Sequence, residues 1–431
     1  MALVVGNMIG SGVFLLPAAL VSFGGLSLLG WVVSATGSVL LAIVFARFAR
    51  LYPSSGGPYA YTRRAFGDLP GFLVAWGYWI SVWSANAALA VAFVGYLDPF
   101  LPSIVRSPPR AAALAVATLW VLTAVNIRGA RGAGRVQVVT TVLKILPLAV
   151  IALAGLAFFQ PGPFVIAEPD AATLTSRLMS VVTLTLWAFL GLECATIPAG
   201  LMRDPDRTIP RATVTGTVLA AAIYILSTIG VMSLVAPATL ASSTAPFADA
   251  ARVFGGEGVA RLVAIGAAIS SFGALNGWIL IVGQLPLAVA RDGLFPSFFA
   301  RVTSRDTPAR GMILAGVLSS TLIAMNYSRG LVALFTFVIL LATLSTLVPY
   351  TSCSLAALLM NLGRLKRWTV TMSAGTTVVA AIALVYSIVA IIGAGREVIV
   401  WGAVLLAAGL PVYFWMRLAT SKLGRSEGGR G

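Results

Sequence analysis

The chain has 431 residues, 59% of them apolar and only 10% charged, with a formal net charge of +16 and no histidine. An ordinary soluble domain is about 25% charged, so a soluble fold is excluded, as are His-based catalytic triads and HExxH zinc sites. Apolar runs of membrane-spanning length, about 20 residues, recur from end to end and predict an all-α polytopic membrane protein.

The first predicted span, roughly 1–22, contains "GNMIGSGVFLLPA", Gly6 to Ala18. Glycine costs a helix about 0.5–1 kcal/mol against alanine, yet three glycines and a serine interrupt the run where a bilayer offers the backbone no water. Leaving helical geometry at Gly10–Gly12 frees amide N–H groups that are costly unless something pairs with them. A substrate carboxylate is a fitting partner, favoured further by the positive end of the half-helix that follows. Close helix packing through small residues is the alternative. No charged n-region precedes the span, so no cleavable signal peptide is expected. The span is just long enough, which leaves room for a preceding N-terminal tail.

Span two covers about 25–46 and is followed by "PSSGGPYAYTRRAFG" (Pro53 to Gly67), expected as a re-entrant or interfacial segment. In span three, about 69–97, Trp76, Trp79, Trp83 and Asn86 share one helix face. A tryptophan stripe alone is more often packing than a site. A mid-bilayer amide needs a partner, either a substrate or another helix. Span four, about 111–127, leads into "RGARGAGR" (Arg128 to Arg135). That stretch lacks the strand-then-helix setting of a phosphate cradle and reads as a basic turn.

Span five, about 137–159, carries Lys144 at mid-depth, at an insertion cost of about 2.5–3.5 kcal/mol. It should be satisfied by carbonyls around the broken span one. Span six, about 179–201, contains Trp187 and "GLECATIPAG". Its Glu193 either exchanges protons or, as a neutral acid, holds two helices together. Further spans follow at about 213–236, 259–290 (with Trp278), 311–326, 330–361, 370–393 and 398–416. Trp31, Trp368, Trp401 and Trp415 lie near span ends and read as interfacial anchors. Trp187 and Trp278 lie mid-span, where their ring faces suit a cationic or apolar side chain and contribute about 0.5–2 kcal/mol over a cation.

Basic residues crowd alternate connections: Arg47, Arg50, Arg63 and Arg64, then Arg128, Arg131 and Arg135, then Arg203, Arg207 and Arg211. The pattern continues at Arg291, Arg301, Arg305 and Arg310, at Arg364, Lys366 and Arg367, and in the tail. By the positive-inside rule both termini face the cytoplasm. The charge therefore sets topology and implies no nucleic acid. Cys194 and Cys353 fall in apolar helices and suggest neither a disulfide framework nor a metal site. No metal or cofactor is expected. The short loops imply a single transmembrane domain over 1–431. Gly10 to Pro17 and Gly191 to Pro198 each set a glycine seven residues before a Pro-Ala pair. Five spans separate the two, which inverts the second copy. Interrupted spans at matching positions point to a transporter's binding site. The repeats would cover about 1–160 and 176–362, followed by helices at about 369–418 and a basic tail at 419–431.

These residues carry a resemblance. "GNMIGSGVFLLPA", "PSSGGPYAYTRRAFG", "LWAFLGLECA" (Leu186 to Ala195), "RDPDRTIPRA" (Arg203 to Ala212), "APFADAAR" (Ala245 to Arg252) and "ARDGLFPSFFARV" (Ala290 to Val302) occur in order. They resemble the amino acid–polyamine–organocation transporter superfamily, nearest its bacterial arginine/agmatine and basic amino acid/polyamine antiporters. The resemblance implies twelve helices, a five-plus-five inverted repeat with helices 1 and 6 broken, and alternating access in the cell inner membrane, often as a homodimer. It implies that amides around Ser11 and Gly12 hold a substrate carboxylate, and that carbonyls of Met8, Trp187 and Leu190 receive its ammonium group. It puts Trp187 over the substrate side chain, Trp278 in the pocket wall, and Asn86 at the distal group, with Ser81, Val82, Leu89 and Ala342 as neighbours. Tyr59, Glu193 and Tyr350 match positions tied to gating or pH response, and the first of these sits in a segment that helps close an inner gate.

Lys144 departs from the arginine/agmatine type. It resembles the fifth-span lysine of proton-coupled and sodium-independent relatives, whose ammonium group occupies a sodium position. A guanidinium needs several acceptors, and Val82, Leu89 and Ala342 offer none. Amino acid/amine exchange is therefore the leading reading, with proton-coupled or facilitated uptake of neutral or small amino acids as the alternative. A non-transporting amino acid sensor and a Ser11–Lys144 intramembrane enzyme are the rivals from other classes.

Overall fold

A computed structural model describes residues 1–165, 171–326, 331–363, 365 and 374–427; the side chains of 171–173, 325–326, 331–343 and 419–427 are not described. Among the described residues there is no strand. The first span is not one helix. Helix α1 (Ala2–Met8) stops in the glycine-rich stretch, and the chain resumes through a 3-10 turn into α2 (Leu16–Leu20). Long helices follow: α3 (Leu26–Leu51), the short α4 (Pro58–Phe66), α5 (Asp68–Gly95), α6 (Pro102–Val105), α7 (Pro108–Ile127) and α8 (Ala130–Ala157). Helix α9 (Ala171–Trp187) ends where the sixth span breaks. Beyond it come α10 (Pro205–Leu234), α11 (Pro237–Ala241), α12 (Pro246–Arg291), α13 (Ala309–Asn326), α14 (Leu331–Asn361), α15 (Ala374–Gly393), α16 (Arg396–Ala407) and α17 (Leu410–Glu427).

Among the described residues eight helical stretches are long and apolar enough to cross a membrane. The first and sixth predicted spans are absent from them because their helices are interrupted. That is the arrangement the glycines imply, since each break trades intrahelical bonds for exposed peptide groups.

Helix α8 shows how the bundle sorts its faces. Val142, Leu146 and Leu153 are 57%, 56% and 68% exposed, whereas Lys144 between them is 0% exposed. An apolar face turned outward suits lipid, and the polar residues turn inward. Helices α8 and α10 meet at Gly155 and Gly230, where a Cβ on Gly155 would strike the Gly230 backbone; only small residues permit this approach.

Trp31 corrects one expectation. It is fully buried, packed edge-on to Phe189 at 5.9 Å and against Tyr224 at 5.3 Å. Its position near a span end misleads because α3 is covered there by the turns after α9 and by α10. Trp401 and Trp415 are 51% and 61% exposed. Trp368, Arg364, Lys366 and Arg367 lie outside the described residues.

Candidate functional site

At the first break the Gly10 N–H folds back onto the Met8 carbonyl at 2.9 Å. The backbone N–H groups of Ser11 and Gly12 find no acceptor among the described residues, although both residues are buried. The Ser11 carbonyl accepts from the Tyr96 hydroxyl at 2.9 Å.

Lys144 braces this break. Its Nζ donates to the carbonyls of Gly6 at 2.8 Å, Ile9 at 2.7 Å and Ser270 at 3.0 Å. Ser270 Oγ adds bonds to Ile9 O at 3.0 Å and Gly10 O at 3.1 Å. The carbonyls released by the break are thereby satisfied from α8 and α12, as a buried backbone requires. No hydrogen bond joins Ser11 to Lys144.

A chain of buried amides fixes the other side of α1. Gln137 Nε2 donates to Asn7 Oδ1 at 3.3 Å, Asn276 Nδ2 to Gln137 Oε1 at 3.0 Å, and Asn126 Nδ2 to Asn276 Oδ1 at 3.1 Å. The sequence held the signal for this chain in four amides within predicted spans, each of which needs a partner.

The second break follows Trp187. Residues 188–193 form successive turns, and Gly191 takes φ +104°, a conformation L side chains avoid. A Cβ there would also come within 2.9 Å of the Trp278 ring. The Gly191 N–H reaches the Tyr350 hydroxyl at 3.4 Å. Glu193 is fully buried and accepts from Tyr78 on one carboxylate oxygen and from Tyr350 on the other. Tyr78 escaped the sequence reading, although it lies three residues before Ser81 on the same face of α5.

The two breaks face each other across one cavity. Met8, Ser11, Gly12, Ser81, Trp187, Leu190 and Trp278 line it, as do Val82 and Leu89. Asn7 and Thr346 join the wall without having been expected. Trp187 lies against Gly12 so closely that a Cβ on Gly12 would enter the indole ring.

Asn86 differs from expectation. It is buried, its Oδ1 has no hydrogen-bond partner, and it does not line the cavity. The cavity-facing side of α5 carries Ser81, Val82, Ala85, Ala88 and Leu89. Asn86 instead follows the tryptophan stripe, which packs elsewhere: Trp76 Nε1 donates to Leu405 O at 2.9 Å and Trp79 Nε1 to Val282 O at 3.2 Å. The Ala342 side chain lies outside the described residues. Glu193, Tyr350 and Lys144 are behind the cavity wall, and Tyr59 belongs to a separate cluster.

That cluster latches α4. The Tyr59 hydroxyl donates to Asp292 Oδ2 at 2.8 Å, and Arg63 bridges Asp292 and Asp68, each at 2.8 Å. Arg417 reaches the second Asp68 oxygen at 2.9 Å. Burial, then the charge of Asp292, pushes the Tyr59 hydroxyl well above its ordinary value, so it remains a neutral donor throughout the working pH range. The Cys353 thiol sits beneath α4, 3.8 Å from Pro58 O. Asp292→Ala should therefore speed maleimide labelling of Cys353 several-fold in a Cys194→Ser background. An unchanged rate would show that these contacts do not hold α4 in place.

Among the described residues no group of His, Cys, Asp or Glu could hold a metal ion. The chain matches the amino acid permease family over residues 1–429. It is 34% identical to the putrescine transporter PotE of Haemophilus influenzae over 412 residues, 94% of this chain and 93% of that one. The putrescine transporter PotE of Escherichia coli is 33% identical over 409 residues, 94% and 92% of the two chains. The cadaverine/lysine antiporter of Escherichia coli is 35% identical over 356 residues, 80% and 79% of the two.

Proposed function

Because the chain belongs to the amino acid permease family, we propose that this multi-pass membrane protein is a secondary active transporter exchanging an amino acid for its decarboxylated amine. The observation that carries this reading is the pair of helix breaks facing one cavity, with the N–H groups of Ser11 and Gly12 unpaired beside it. A zwitterion answers that geometry. Its carboxylate takes the two amides and the positive end of the following turn, and its ammonium group takes the carbonyls of Met8, Trp187 and Leu190. The Trp187 ring covers the side chain, with Trp278, Ser81 and Thr346 completing the enclosure. The named activities of the relatives, putrescine transport and cadaverine/lysine antiport, support a cationic amino acid and its amine as the pair.

The breaks stand at matching positions of two segments, 1–160 and 176–362, which supports an inverted five-plus-five repeat with two further helices and twelve spans in one domain. Charge distribution supports a bacterial inner membrane location with both termini cytoplasmic. The Tyr59–Asp292–Arg63 cluster then forms the cytoplasmic gate. Tyr78, Glu193 and Tyr350 tie the second break to α5 and α14, so movement of that break on loading must strain or release these bonds. A proton on Glu193 would change which oxygen donates and which accepts there, and this is where proton linkage fits best. Lys144 takes the role of a bound cation, its ammonium group gathering the carbonyls of the first break. A homodimer is the expected assembly.

A second reading, proton-coupled or facilitated uptake of small neutral amino acids, is favoured by the cavity wall itself. No carboxylate lines it, and Val82, Ala85 and Leu89 make one side apolar. Transport into proteoliposomes separates the two. Uptake of labelled lysine that requires internal lysine, cadaverine or putrescine establishes exchange. Uptake of neutral amino acids into empty vesicles, driven by a pH gradient, establishes the second reading instead.

A further inference from the structure

A second cleft opens between the last turns of α3 and the first turns of α10. Its floor is apolar, from Ile43, Pro210 and Val214, and its rim carries Arg47, Arg50 and Arg211. Among the described residues none of the three arginines has an acidic partner. The ion pairs of the described residues fall on Arg63, Arg106, Arg252, Arg261 and Arg417. Arg47 Nε is moreover shielded from solvent with no hydrogen-bond acceptor. A guanidinium N–H withdrawn from water needs an acceptor, and three guanidinium groups around one opening match a phosphate.

The cleft lies where α3 ends and α10 begins, at the edge of two membrane-spanning segments. From it an outward-facing apolar lane climbs α10 through Val218 and Leu226, 49% and 38% exposed. Basic pockets between transmembrane helices hold the headgroups of anionic lipids. We propose that this cleft binds an anionic phospholipid, its phosphate on Arg47, Arg50 and Arg211 and its acyl chains along the α10 lane. The charge selects the headgroup and the lane selects a lipid over a soluble anion. The lipid would bridge α3 and α10, which flank the two broken segments, and so would stiffen the frame around the cavity. The proposal does not depend on which substrate the cavity takes.

The test is binding of phosphatidylglycerol to the purified full-length chain in detergent, by native mass spectrometry and thermal shift, against phosphatidylcholine and inorganic phosphate. Phosphatidylglycerol is expected to bind and raise the melting temperature, with the other two doing neither. The triple variant Arg47→Gln, Arg50→Gln, Arg211→Gln should lose affinity at least about tenfold while melting like the parent in phosphatidylcholine. Raising the ionic strength should weaken binding to the parent protein, which keeps the proposal testable if the triple variant fails to fold. Equal binding of phosphatidylcholine, full affinity in the variant, or salt-independent binding would overturn it. Stabilisation by inorganic phosphate equal to that by the lipid would replace the lipid with a soluble anion.

Discussion

Gly12→Ala is expected to weaken amino acid binding about ten- to a hundredfold while leaving the protein folded. The added methyl group would occupy space now held by the Trp187 ring, so either the indole or the first break must move. Overpacking of this kind costs about 1–3 kcal/mol, and each 1.4 kcal/mol is about tenfold in affinity. Both components that would shift belong to the proposed site: the amide at Gly12 and the ring of Trp187. Gly10→Ala is the control. A Cβ there would meet Leu89 at 3.5 Å and Ala274 at 3.7 Å, ordinary contact distances, and should cost much less. Equal losses in the two variants would mean that glycine is needed for the break in general and not for the close approach of Trp187. Thermal-shift titration of both variants with the same amino acid reads the difference.

Lys144→Met should abolish transport, measured as a fall of about a hundredfold or more in proteoliposome exchange. Methionine keeps the volume but removes the donor shared by Gly6, Ile9 and Ser270. Orphaning a buried acceptor costs about 1–3 kcal/mol. Part of that loss is offset, because the cost of burying a charge disappears with the lysine. The melting temperature should therefore fall less than the activity does. The Gly6 and Ile9 carbonyls would lose their tie to α8, and only the Ser270 hydroxyl would still hold Ile9 and Gly10. Exchange at the parent rate would remove Lys144 from any role beyond filling space.

The features that sequence revealed and those that it hid differ for a physical reason. Gly10 to Gly12, Gly191 and Lys144 could be read because each violates a rule of the bilayer. A glycine cluster weakens a helix that has no water to fall back on, and a mid-span ammonium group needs acceptors. Those violations demand local compensation, and the compensation lies beside them in the structure. The side of α5 that faces the cavity could not be read this way. Asn86 beside the tryptophan stripe asked for a partner, whereas Tyr78, Ala85 and Ala88 carried no signal of their own, and Ser81, Val82 and Leu89 entered only through the family resemblance. Which face turns inward is decided by α12 and α16, which accept the indole N–H groups of Trp79 and Trp76, and no local pattern records that.

Trp31 shows the same limit from the other direction. An aromatic near a span end is an interfacial anchor unless another helix covers it, and Phe189 and Tyr224 do so from 158 and 193 residues away along the chain. The Glu193 cluster was half legible. A carboxyl inside a span announces that it has partners, but Tyr78 and Tyr350 converge on it from two different helices. The amide chain from Asn7 to Asn126 was legible in principle, since every member is a polar group in an apolar run.

The most direct measurement is the affinity of the purified protein for a zwitterion against the same molecule with its carboxylate blocked. The amino acid giving the largest thermal shift in a screen would be titrated beside its methyl ester by calorimetry. If the bare amides of Ser11 and Gly12 hold the carboxylate, the ester should bind at least about tenfold more weakly, in line with charge-assisted hydrogen bonds of about 1.5–3 kcal/mol. An ester that binds as tightly as the parent amino acid would contradict the account.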